Sequence, residues 1–317
     1  MLFSIVFSFR NEAEVLEELI KRVRAVMGQL AFDYEMIFVN DDSTDASLEV
    51  LLKEREKDAN IKIINMSRRF GVHQCALAGL RATSGDAVVY MDCDLQDPPE
   101  VIPAMVEKWR KGAEIVHTTR TKRKGESRIK LFLTGMAYRF LNLISETKIL
   151  PNSGDFKLLS RRAVNELVKL EENELVKLEE YDPFMRGLVH WIGFKQENIY
   201  YEREPRHKGR THFPLLGWGP MKEFERGVIT FSAAPLRLSL FLGFAISFLS
   251  FACFIIILLN KLLGWNDLPG WTAIMSSIFF LNGIVLFTIG VFGLYLGRIY
   301  RDVAKRPNYI IRSSVGL

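Results

Sequence analysis

Residues Ala87–Glu100 read AVVYMDCDLQDPPE. The apolar run Ala87–Met91 is rich in β-formers and passes straight into Asp92, Asp94 and Asp97, after which two prolines open a helix. Side chains alternate along a strand, so Asp92 and Asp94 share one face while Cys93 points away. Hard carboxylate oxygens with no His or Cys among them suit Mg2+ or Mn2+, ions held by one or two carboxylates plus substrate phosphates. An Asp-x-Asp pair alone is a weak signal, because solvated surface acids are common. Its place at the end of an apolar strand gives it weight.

Outward from this stretch the same arrangement repeats. Leu2–Phe9, Tyr34–Asn40, Ile61–Asn65, Ala87–Met91 and Glu114–Thr118 predict strands, and Glu14–Met27, Ala46–Lys57 and Val101–Lys111 predict helices between them. The alternation predicts an α/β domain, Rossmann-like, with a mostly parallel sheet and ligands outside the carboxyl ends of its strands. Arg10-Asn11-Glu12 follows the first strand and Asp41-Asp42-Ser43-Thr44-Asp45 the second. Ser43 or Thr44 is expected to cap the next helix. Three acids in five residues, Asp41, Asp42 and Asp45, exceed what a cap needs, so at least one is expected to accept hydrogen bonds from a nucleotide base or ribose; Asp41, Asp42 and, after the first strand, Glu12 are the cofactor-binding candidates.

The 317-residue chain is 49% hydrophobic and carries a net charge of +5. Leu238–Leu259 and Trp271–Leu296 contain no Asp, Glu, Lys or Arg. At about 1.5 Å per residue either run crosses a hydrocarbon core about 30 Å thick. Arg298, Arg301, Lys305, Arg306 and Arg312 follow the second run, whereas the connection 260–270 carries only Lys261 and Asp267. This bias puts the C-terminal end in the cytoplasm, and an even number of spans puts the N-terminal domain there too. No signal peptide is expected, since Leu2–Phe9 is short and runs into Arg10. Three parts follow: a cytoplasmic catalytic domain (1–212), an amphipathic interfacial segment (213–235), and a transmembrane hairpin with a cytoplasmic tail (236–317).

Cys75, Cys93 and Cys253 show no metal-type spacing. No interleaved aromatic and basic motif suggests nucleic acid. Arg120 and Arg128 lie in a basic stretch after the fifth strand, and Arg203 and Arg206 in another before the amphipathic segment. Arginine offers bidentate recognition of phosphate, which makes Arg128, Arg203 and Arg206 the preferred clamp for an anionic acceptor, with Arg120 beside them. His73, near the start of a helix after Gly71, and His117, at a strand end, read as structural. NELVKLEE occurs twice in tandem, at 165–172 and 173–180, as a local lengthening of a surface helix. Gly293 and Gly297 form a small-xxx-small helix-packing pair.

The pieces MDCDLQDPPEVIP, NSGDFKLLSRR, FMRGLVHWIGF, YEREPRHKGRTHF and FSAAPLR together resemble the family 2 glycosyltransferases of the A-type fold. Within them, the chain is similar to the polyprenyl-phosphate (undecaprenyl- or dolichyl-phosphate) enzymes along nearly its whole length. The resemblance implies that Asp41 contacts the nucleotide base, that Asp92 and Asp94 serve nucleotide and metal, and that Gln96, Asp97 and Asp155 line the transfer site. Asp42 stands where glycine is common, Lys157 replaces a frequent arginine and His212 a frequent lysine. Asp tolerates positive φ better than most residues, so the turn at Asp42 is expected to survive.

The implied activity moves a sugar, glucose as first choice, from a nucleotide such as UDP-glucose to undecaprenyl phosphate in the inner (plasma) membrane. Asp94, Asp97 and Asp155 are the expected catalytic acids, with Mg2+ or Mn2+ as cofactor, and a homo-oligomer is compatible with this arrangement. A phosphate monoester is largely ionised near neutral pH, with a second pKa of about 6, so a strong general base is less needed than for an alcohol. A processive polysaccharide synthase is the competing enzyme, disfavoured by the lack of a Gln-x-x-Arg-Trp motif. The non-enzymatic alternative is a lipid-handling scaffold with a nucleotide-binding head.

Overall fold

The computed structural model describes residues 1–123, 153–172, 185–203, 227–229, 232–262, 270–304 and 306–317, with short pieces between 135 and 145. Eight strands, β1 (Leu2–Phe9), β2 (Asp33–Asn40), β3 (Ile61–Met66), β4 (Ala87–Asp92), β5 (Ile115–Arg123), β6 (Ser153–Ser160), β7 (Gln196–Arg203) and β8 (Ile311–Val315), form one sheet in the order β7-β5-β6-β4-β1-β2-β3-β8. The pairs β1–β2, β1–β4, β2–β3 and β5–β7 are parallel, whereas β6 and β8 run antiparallel to their neighbours. The mostly parallel sheet is as expected, and the first five strands match their apolar runs to within a few residues.

Alternation along the strands feeds two cores. Phe3, Ile5, Phe7, Phe38 and Val89 face helices α1 (Leu16–Leu30) and α4 (Ile102–Arg110), burying Leu19, Val23 and Met105. Val6, Ile37, Val39 and Val88 face α3 (Val72–Arg81), α5 (Arg161–Glu172) and α6 (Met185–Trp191). A Cβ on Gly79 would stand 2.3 Å from a Val6 methyl, so this glycine lets α3 lie against β1. The first copy of NELVKLEE ends α5, and the second lies outside the described residues.

Helix α2 (Ser47–Lys57) corrects the expected cap. Its first backbone amide, that of Ser47, donates to Asp45 Oδ1 at 3.0 Å, while the Ser43 hydroxyl accepts from the Asn11 amide instead. Two long apolar helices follow the sheet, α7 (Ala234–Leu262) and α8 (Trp271–Val303), and they pack against one another. Among the described residues one segment, Phe280–Val303, is long and apolar enough to cross a membrane, and Ala234–Ile246 is a shorter apolar helix. By this measure the expected two-helix transmembrane hairpin is supported only in its second member. Leu240, Phe244 and Phe248 on α7, and Phe280, Leu286 and Phe292 on α8, are all exposed. Most of the amphipathic segment 213–235 lies outside the described residues.

Candidate active site

The loops after β1, β2 and β4 meet at the carboxyl edge of the sheet. Asn11 Oδ1 accepts from the Thr44 amide at 2.8 Å, the Ser47 hydroxyl accepts from the Glu12 amide, and Asp45 Oδ2 accepts from the Ala13 amide. Asp45 stays below the usual carboxylate range, because the hydroxyl and amide of Ser47 outweigh the upward push of burial. The buried carboxylate of Asp41 accepts from the amides of Phe70 (2.7 Å) and Gly71 at the start of α3. Asp42 occupies the left-handed region with φ of 56°, as expected for a residue standing in place of glycine. His73 sits in the first turn of α3, also as expected.

β4 ends at Asp92, short of the strand position expected for Asp94, yet burial still alternates beyond it: Cys93 and Leu95 are buried in the core while Asp92, Asp94 and Gln96 stay half-open to the cleft. Asp94 Oδ1 accepts from the Gln96 amide at 3.1 Å. Tyr90 pairs with Lys157 across the antiparallel β4–β6 ladder, so two further residues bring Asp155 level with Asp92. Burial, then the charges of Asp94, Asp155 and Asp97, push the Asp92 carboxyl upward, and Arg120 opposes them. Four carboxylates therefore crowd one end of the cleft.

Two arginines face them. Asp97 is buried and accepts from Arg120 Nη2 at 3.1 Å and from the Tyr201 hydroxyl; Arg203 Nε lies 3.6 Å from it. Arg203 Nη2 also lies 3.9 Å from Asp94. The cluster is assembled by β5 and β7, whose parallel register sets Arg120 beside Tyr201. The structure thus brings together Asp92, Asp94, Asp97, Asp155, Arg120 and Arg203, with Glu12, Asp41 and Asp42 along the same edge. Arg128 and Arg206 lie outside the described residues.

Sequence reasoning missed Tyr201 and Gly154. A Cβ on Gly154 would stand 2.8 Å from Arg120 Nη2, so this glycine gives the guanidinium its place. His117 lies inside β5, stacked on His190 with ring centroids 4.2 Å apart. Both rings bond Gln196 Oε1. Burial, then the stacked His190 and Lys157, hold His117 neutral at about 3, and burial, then Lys157, hold His190 at about 4.

Among the described residues no three His, Cys, Asp or Glu side chains converge as a metal-ligand set. Asp92 and Asp94 nonetheless form the kind of partial oxygen set that a divalent ion completes with substrate phosphates.

A model of glycosyl transferase family 2 matches residues 4–168. The chain is 40% identical, over 99% of its length and 94% of the relative's, to an uncharacterized glycosyltransferase of Bacillus subtilis. It is 35% identical to a prophage-derived bactoprenol glucosyl transferase of Shigella flexneri, covering 99% of this chain and 98% of that one. A prophage bactoprenol glucosyl transferase homolog of Escherichia coli is likewise 35% identical, over 98% and 99% of the two chains.

Proposed function

The chain belongs to glycosyl transferase family 2, and from that premise we propose that it moves a glucosyl group from a nucleotide diphosphate to bactoprenol phosphate, a polyprenyl phosphate. The bactoprenol glucosyl transferases that it resembles over almost their whole length support this acceptor. The observation that carries the reading is the convergence of Arg120 and Arg203 on buried Asp97, beside the Asp92–Asp94 pair. Arg120 bonds Asp97 directly, whereas Arg203 stands off from Asp97 and Asp94 at 3.6 and 3.9 Å. Arg203 Nε is buried with no hydrogen-bond partner among the described residues, which suits a second anion.

In this mechanism the two halves of the cleft hold two anionic substrates. Asp41 and Asp42 face the nucleotide base and Glu12 its ribose or phosphate side. Asp92 and Asp94 would hold Mg2+ or Mn2+ with the donor diphosphate, a fit favoured by the crowding that drives Asp92 upward. When bound, such an ion supplies charge stabilisation to the departing diphosphate. Arg203 and Arg120 orient the lipid phosphate, and Asp97 fixes both arginines. A phosphate oxygen attacks the anomeric carbon, the bond to the nucleoside diphosphate breaks, and the configuration inverts. The attacking dianion has no proton to lose, so Asp155 acts by orienting the sugar or acceptor.

The exposed apolar faces of α7 and α8 fit hydrocarbon. Strand β8 follows α8 yet pairs with β3 of the catalytic sheet. The chain between β7 and β8 therefore crosses a bilayer an even number of times. If α8 crosses, α7 crosses too, which favours a hairpin in the inner membrane with catalytic domain and tail both cytoplasmic.

The experiment offers the purified full chain a panel of nucleotide sugars with undecaprenyl phosphate, in Mg2+, Mn2+ or EDTA, and reads the lipid by mass spectrometry. One hexose added from UDP-glucose, with a divalent ion, is expected. No hexose-bearing lipid from any donor would overturn the reading.

A further inference from the structure

The tail after α8 returns to the sheet. Strand β8 pairs antiparallel with β3, Asn65 opposite Ser313 and Met66 opposite Ile311, which leaves Arg312 as the extra residue of a β-bulge. A bulge re-aims the side chain it carries. Here the Arg312 guanidinium donates to the carbonyl of Ser67 and to Asp42 Oδ1, the latter at 3.2 Å. A second thread runs in parallel: Asn65 Nδ2 donates to the Ser313 hydroxyl, Asn40 Nδ2 to Asn65 Oδ1, and the Ser43 amide to Asn40 Oδ1. Both threads start on the C-terminal strand, and both end in the loop Asp41–Ser43. The Ser67 amide, donating to the Ile310 carbonyl at 2.8 Å, pins the strand where the threads begin.

Asp42 holds a left-handed backbone conformation that a non-glycine residue keeps only when its surroundings enforce it. Its neighbour Asp41 is the residue assigned to the nucleotide base. We propose that Arg312 is a positioning residue for donor binding: from the bulge of the C-terminal strand it fixes the Asp42 turn and so the aim of Asp41. The donor pocket is then completed by the last residues of the chain, joined to the sheet only after the apolar helices. The inference rests on the donor assignment made above.

The test uses the full chain in nanodiscs, measuring UDP binding by calorimetry with Mg2+ present, thermal unfolding, and separate KM values for UDP-glucose and undecaprenyl phosphate. Arg312→Ala is expected to weaken UDP binding and raise donor KM by roughly threefold to fivefold, the range of a partly exposed ion pair, with lipid KM and unfolding temperature unchanged. Asp42→Asn, which keeps the left-handed turn but removes the charge, should weaken UDP binding at least as much because Asp42 itself lines the donor half, and adding Arg312→Ala to it should cost little more. Arg312→Lys should recover part of the affinity. Wild-type affinity for UDP in Arg312→Ala would overturn this inference alone, as would additive losses in the double variant. A wild-type chain that binds no UDP would overturn the donor assignment, and this inference with it.

Discussion

The Tyr201 hydroxyl donates to the Asp97 carboxylate, while its oxygen accepts from Arg120 Nε at 3.2 Å. Burial, then the Asp97 charge, raises the Tyr201 phenol well above its ordinary value, so it stays a proton donor at any working pH. Asp97 is thus the anchor on which Arg120 and Arg203 converge, and Tyr201 keeps the anchor and one arginine in register.

Tyr201→Phe should therefore loosen Arg120 and Arg203 together without touching the donor loops. A hydrogen bond to a charged group contributes about 1.5–3 kcal/mol, so transfer should fall by about one to two decades. The expected signature is a raised lipid KM, a lowered kcat or both, with UDP affinity unchanged. Steady-state kinetics beside calorimetric UDP titration reads it, and wild-type kinetics would remove Tyr201 from the acceptor site.

Gly154→Ala tests the same anchor from the other side. The new methyl would stand 2.8 Å from Arg120 Nη2 and 3.1 Å from its Cζ, and the guanidinium cannot withdraw without giving up Asp97. Overpacking of this kind costs about 1–3 kcal/mol, so the unfolding temperature and lipid-dependent transfer should both fall. Gly28, on the exposed face of α1 with no atom within 4 Å of its would-be Cβ, is the control. There the change to Ala should stabilise by about 0.5–1 kcal/mol and leave transfer unaltered.

The crowded carboxylates give a pH signature. Burial and three neighbouring acids raise Asp92, so the folded chain holds a proton that the unfolded chain releases near the ordinary carboxylate value of about 4. Without a divalent ion, stability should fall as pH rises from that value toward the raised one, since the native state binds more protons across the window. Mg2+ competes with that proton, so its stabilisation should grow with pH. Asp94→Asn should flatten both trends and abolish transfer. Unfolding temperatures measured across pH in EDTA and in Mg2+ check this, and an Asp94→Asn chain that still gains stability from Mg2+ would remove the metal assignment.

Much of this architecture was legible because apolar runs and the acids that end them are local signals. Ala87–Met91 leads to Asp92, where β4 ends, and Asp94 follows in the bend beyond it, open to the cleft like Asp92. Strands β6, β7 and β8 were missed for the opposite reason. SGDFKLLS and QENIYYER mix polar and apolar residues, and IRSSV is a short edge strand whose partner lies about 250 residues away. Arg120 and Arg203, which meet at Asp97, were singled out by charge, but Tyr201 and Gly154 were not. A buried tyrosine on a half-polar strand and a glycine that makes room for a guanidinium announce themselves only once β5, β6 and β7 are side by side.

The acceptor assignment is most exposed at Arg203, whose side chain lies within 4 Å of both Asp94 and Asp97 and so sits between the two halves of the cleft. Its Nε is buried and unbonded among the described residues, so the guanidinium has donor capacity that they do not use. If that capacity meets the lipid phosphate, Arg203→Ala should cut transfer by about one to two decades through lipid KM, kcat or both. UDP affinity should hold or rise slightly, because removing the arginine leaves Asp94 freer to hold a divalent ion. Arg203→Lys should restore little, since an ammonium cannot reproduce the planar bidentate fork. If Arg203 instead meets the donor diphosphate, the same variant should weaken UDP binding and leave lipid KM alone. Calorimetric UDP titration and lipid-dependent kinetics on one preparation separate these outcomes, and weakened UDP binding with normal lipid KM would move Arg203 to the donor side, leaving Arg120 to hold the acceptor.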